Sequence, residues 1–140
     1  MVYNLSGLWK NKNSSGIFLF KQKENKRDVL IFGIGVGEDK FSNIGKAVIQ
    51  NDSIIFSWYD SYVSEDYSDN AVMHICESKI ISNEKLRFIR EIVSDKNAKI
   101  KFDYGNFERI FDEEALNKLI ALQNNCYKQI LDINTGDMIK

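Results

Sequence analysis

Apolar positions alternate with polar or small ones along most of this chain, and the alternation breaks at short clusters of Asn, Asp, Ser, Lys and Gly. On residues 29–37, Leu30, Phe32, Ile34 and Val36 fall on one face while Gly33, Gly35 and Gly37 fall on the other. Ile54, Phe56 and Trp58 share a face further on, as do Ile100, Phe102 and Tyr104. A period of two is the pattern of β-strands. It marks eight of them, over residues 7–10, 17–23, 29–37, 41–50, 53–62, 71–81, 85–94 and 99–111. The gaps, such as Asn11-Lys12-Asn13-Ser14-Ser15-Gly16 and Asn51-Asp52, hold residues that turn a chain, and they are too short for crossover helices. Even strands joined by such hairpins predict an antiparallel up-and-down barrel, with an open meander as the competing arrangement.

After Phe111 the period changes. Asp112 is placed to cap a helix, with Glu113 and Glu114 in its first turn. Leu116, Leu119, Ile120, Cys126, Tyr127, Ile130 and Leu131 then recur at helical spacing, which predicts a helix over 112–133. Its apolar stripe needs cover from the barrel wall, from one mouth, or from a second copy of the chain in a homodimer. The fold class is mainly β: one domain over 1–140, with the barrel at 7–111 and a C-terminal α-helix at 112–133. A chain of 140 residues buries enough surface to fold without staples.

Charge narrows the partners. Nineteen Lys and Arg balance 20 Asp and Glu, a net charge of −1, so the chain lacks the basic excess that drives binding to nucleic acid or to an anionic membrane. No apolar run approaches the ~20 residues of a membrane-spanning helix. Met1-Val2-Tyr3-Asn4-Leu5 lacks the basic and apolar regions of a secretory signal, and the expected location is cytoplasmic. Cys76 and Cys126 form neither a disulfide framework nor a C-x-x-C site. They read as buried reduced thiols.

Trp9, in Ser6-Gly7-Leu8-Trp9, and Arg109 stand at the two ends of the strand array. With eight short-looped strands and a helix after the last, they resemble the calycin superfamily, the lipocalins and avidin-like barrels. The resemblance implies that the Trp9 ring stacks on the Arg109 guanidinium and closes one end of the barrel, a structural role without chemistry. Asn11 and Ser15 fall where avidin-like barrels place polar groups toward the ligand's head. The third strand offers Phe32, Ile34 and glycines where those proteins carry tyrosine and serine, which argues against biotin. The secreted lipocalins' signal peptide and disulfide have no counterpart here.

The remaining chemistry is sparse. His74 is the lone histidine, and with Cys76 it supplies two ligands where zinc takes three or four. Glu91 or Asp103 would have to complete such a set, so the reading is a structural histidine, with no metal and no cofactor. Same-face positions on one strand lie ~6–7 Å apart, too far for Cys76 and His74 to form a nucleophile–base couple. Glycine at period two is not a phosphate-binding loop, which sits between a strand and a helix. It lets a strand coil sharply or lets something pack closely. Residues 56–69 are dense in aromatics and hydroxyls, as small-ligand pockets are. On the seventh run Arg90 falls on the apolar row of Leu86, Phe88 and Ile92, where it needs a carboxylate from Glu77, Asp103 or a bound anion.

Three functions remain. The leading expectation is a non-catalytic small-molecule binder, holding a compact apolar or aromatic ligand against Trp58, Phe56, Tyr62, Phe32 and Arg90. The second is a protein-interaction module, immunity- or antitoxin-like, with a filled barrel core, acting through the C-terminal helix or the 63–70 loop. An enzyme ranks last, because no nucleophile–base–orienter set can be assembled.

Overall fold

The computed structural model describes residues 3–11, 16–35, 37–38, 41, 43–59, 73–93 and 106–125, and at 43–44, 58–59, 73–74 and 124–125 the backbone alone. The strands are β1 (Gly7–Asn11), β2 (Ile17–Gln22), β3 (Asp28–Ile34), β4 (Asn43–Gln50), β5 (Ser53–Tyr59), β6 (Met73–Ser82), β7 (Lys85–Val93) and β8 (Phe107–Ile110), followed by the helix α1 (Glu113–Asn125). Each strand pairs antiparallel with the next, and β8 returns to pair with β1. The sheet is therefore a closed eight-stranded barrel, not an open meander. Residues 60–72, 94–105 and 126–140 lie outside the described set, and with them Tyr62, the 63–70 loop, Asp103 and Cys126.

Pleating gives every strand two faces, and here both faces of β1, β2 and β3 are apolar. The inner faces meet in a core that includes Trp9, Phe18, Phe20, Val29, Ile31, Ile54, Phe56, Ile80, Leu86 and Phe107. Outside, Leu8, Leu19, Leu30, Phe32 and Ile34 form a second layer that α1 covers with Leu119, flanked by Ala115, Leu116 and Leu122. Burial of one such side chain contributes roughly 1.5–3 kcal/mol, which is what holds the helix to the wall. The described part of the helix takes its cover from the barrel wall. Asp112 caps it: its Oδ1 accepts from the Ala115 N–H at 3.1 Å and its backbone carbonyl from the Leu116 N–H at 2.9 Å.

The connections 23–27, 51–52 and 83–84 lie at one end of the barrel with the chain's N-terminal segment. The strand ends at Asn11, Ile17, Ile34, Asn43, Tyr59, Met73 and Val93 lie at the other. We refer to these as the tight end and the wide end.

Candidate functional site

The tight end is sealed by the residues that precede β1. Leu5 is fully buried beneath the core, and the Trp9 indole N–H donates to its carbonyl at 2.8 Å. Gln22 ties the segment down: its Oε1 accepts from the Leu5 N–H at 2.8 Å, and its amide group donates to the carbonyls of Tyr3 at 3.1 Å and Lys26 at 2.8 Å. The Tyr3 hydroxyl donates to Asp52 Oδ1 at 2.5 Å, which raises the phenol's pKa above its ordinary value.

Register places Trp9 directly opposite Arg109 at the seam between first and last strands. The guanidinium carbon sits 5.4 Å from the Trp9 ring centroid and 5.9 Å from that of Phe111. Its N–H groups donate to the backbone carbonyls of Asn4 at 2.8 Å, Asn83 at 3.0 Å and Ser6. Partial burial lowers the Arg109 pKa, and Glu84 opposes the shift. Gly7 makes the approach of Arg109 feasible. Its φ is +139°, and a Cβ there would stand 2.7 Å from Arg109 Nη2.

Above this floor the barrel is packed with rings. Phe20 touches Trp9 (centroids 5.1 Å apart, stacked), Phe107 (5.3 Å) and Phe56 (6.2 Å). Phe107 also meets Phe18 at 5.2 Å and Phe56 at 5.5 Å. Toward the wide end the inner wall changes character. Gly33 pairs with the inward-facing Phe18, and Gly45 with the inward-facing Ile31, so two inner positions on adjacent strands carry no side chain. Asn11, a buried amide, lies in register opposite Phe107 at the same end.

Of the five residues nominated for a pocket, Phe56, Phe32 and Arg90 have described side chains, and these three do not converge. Phe56 faces the interior, as its alternation with Ile54 predicts. Phe32 does not: it is on the outer face, its ring tilted against Phe41 with centroids 5.4 Å apart, beneath the helix layer. The row Leu30, Phe32, Ile34 reads as a pocket wall because it is the more apolar of the two, but the helix needs that row. The inner row is Val29, Ile31 and Gly33.

Arg90 is displaced by a different device. Ser78 pairs with Phe88 but Glu77 pairs with Arg90, so Ile89 is an extra residue on β7. One extra residue reverses the facing of those that follow. Arg90 is thereby turned outward, its side chain 66% exposed, and its Nε donates to Glu77 Oε1 at 2.9 Å. That bond, helped by one from Ser53, holds the Glu77 carboxyl below its usual range. The internal carboxylate, not an anionic ligand, is thus the partner of this guanidinium, and an exposed pair of this kind contributes ~0–1 kcal/mol.

Trp58 is described in its backbone, which pairs with Gly45 on one side and His74 on the other. Tyr62 and Ser15 lie outside the described residues. The positions that sequence reasoning passed over are Gly45 and Gln22. A glycine inside the apolar run of 41–50 is a signal of close approach at a strand interior. Gln22 carried no signal, since its partners are backbone atoms brought near by folding.

Cys76 is a buried thiol in the core opposite Phe56. Burial, with the nearby Glu91 carboxylate, pushes its pKa up to about 12. The folded state therefore favours the neutral thiol. The resulting stability is complete below the ordinary value near 9 and is lost as the pH rises from there toward 12, at ~1.4 kcal/mol per pH unit. Urea unfolding across this range should be steeper in pH for the parent chain than for Cys76→Ala. In a Cys126→Ser background the remaining thiol should resist alkylation at pH 8 until the chain is unfolded. Rapid labelling of the native protein would refute the assigned environment.

Among the described residues no group of three His, Cys, Asp or Glu side chains converges as metal ligands. No helix there is long and apolar enough to cross a membrane.

These features define a closed antiparallel barrel with one sealed end and a helix strapped to its wall, an architecture compatible with the calycin pattern. No known protein family matches the chain, and no curated protein or solved structure matches it either.

Proposed function

We propose that this barrel binds a compact apolar or aromatic small molecule, without catalysis, in its wide half. The observation that carries this reading is the uneven interior. Side chains fill the tight end ring against ring, while Gly33 and Gly45 leave the adjoining inner wall bare on two neighbouring strands. At any one level an eight-stranded barrel has room for its own side chains or for one small ligand. The buried rings of Phe18, Phe56 and Phe107 would form an aromatic floor, which suits a flat or branched hydrophobe. Asn11, a buried amide at that end, would lie beside it.

The test is native mass spectrometry of protein purified without organic solvent, repeated after organic extraction. A discrete mass surplus that extraction removes is the expected result. Gly45→Leu should abolish the surplus while circular dichroism and the unfolding midpoint stay close to the parent's, because the new side chain takes the ligand's space. A bare-chain mass from several expression hosts, together with no thermal shift on adding small aromatic probes such as naphthalene derivatives, would overturn the reading.

A further inference from the structure

The stack at the seam does not end inside the protein. It runs from the buried Trp9 indole through the Arg109 guanidinium to Phe111, whose side chain has no cover on its far face: Phe111 is 79% exposed, the most exposed large apolar residue described. Beside it a groove of about 300 Å³ runs between β1, β8 and the start of α1, with Leu8, Ile110 and Leu116 in its wall and Asp112 and Glu113 at its rim. Glu114, next to Glu113 on the first turn of α1, is also exposed, whereas Glu108 lies in register between Lys10 and Lys85. Arg109 keeps its positive charge between the Trp9 and Phe111 rings, so the groove lining carries two carboxylates, Asp112 and Glu113, against one guanidinium.

We infer that this groove is a docking surface for a segment of a partner protein that presents an apolar side chain beside lysine or arginine. The apolar side chain would lie on Phe111 and Leu116, and the cation would meet Asp112 and Glu113. Charge selects this occupant over the others. Two copies packed about a twofold axis through this groove would bring two sets of Asp112, Glu113 and Glu114 into one interface, a crowding of like charge that disfavours self-association. An anionic membrane surface is repelled by the same carboxylates. The inference is independent of the interior ligand, since it uses the outer surface at the sealed end.

The test is an NMR titration of the isotope-labelled full chain with three short peptides: one with phenylalanines flanked by lysines, one with the lysines replaced by glutamate, and one with the phenylalanines replaced by serine. The first should shift the amides of Leu8 and of residues 110–116 saturably, and the other two should not. Phe111→Ser, an exposed change that leaves the core untouched, should weaken binding about tenfold or more. Glu113→Lys should weaken it further as salt is lowered, opposite to the parent chain's behaviour. Equal shifts with the glutamate peptide, no shifts with any peptide, or a concentration-dependent dimer in light scattering that Phe111→Ser dissolves would each overturn the inference.

Discussion

Phe20→Ala should destabilise this protein by about 3–5 kcal/mol, the cost of removing a buried aromatic ring whose neighbours cannot close the gap. Phe20 is the ring that Trp9, Phe56 and Phe107 all touch, and each of those is itself fixed by a paired strand, so collapse into the void is resisted on three sides. Phe20→Leu keeps most of the volume and should cost less than half as much. Urea unfolding followed by tryptophan fluorescence measures both, because Trp9 is in direct contact. A loss below about 1 kcal/mol for the alanine variant would mean that the interior is loosely filled at this level. The division between a packed tight half and a receptive wide half would then fail.

Arg109→Ala should cost about 2–4 kcal/mol. The estimate combines the lost stack on Trp9, ~0.5–2 kcal/mol, with the partly buried Ser6 carbonyl left without a donor, ~1–3 kcal/mol. Water can replace the bonds to Asn4 and Asn83, which lie at exposed positions. Arg109→Lys should recover only part of the loss, since an ammonium cannot reach several divergent carbonyls as a planar fork does. A double-mutant cycle sharpens the claim. Gly7→Ala places a Cβ 2.7 Å from Arg109 Nη2 at a φ of +139°, so its cost should fall when Arg109 is already alanine, leaving only the backbone strain. Strictly additive costs would show that the two residues do not constrain each other.

Much of the barrel was legible in the chain because short antiparallel connections leave little choice of partner. Gaps such as Asn51-Asp52 and Ser82-Asn83-Glu84 can only join neighbours, and the eight runs between them had to pair in order. The helix start at Asp112 was equally clear, since capping is a local event within one turn. The candidate site was much less so. A period of two says that a strand has two faces but not which one is inside, and on β3 both are apolar. The choice fell to α1, whose Leu119 needs Phe32 and its neighbours as a bed. Arg90 shows the second limit: its facing depends on the extra residue at Ile89, and a bulge is a property of two strands meeting, invisible in either alone.

The sequence by itself determined the strand count, the antiparallel order and the terminal helix, because these follow from local periodicity, turn chemistry and short loops. Only the tertiary structure decided which apolar row lines the interior, where Arg90 points, and that Gly33 and Gly45 both fall on the inner face of neighbouring strands. Those outcomes depend on which surfaces compete for burial once the sheet has closed, and that competition is settled by packing across the whole barrel, not within any one segment.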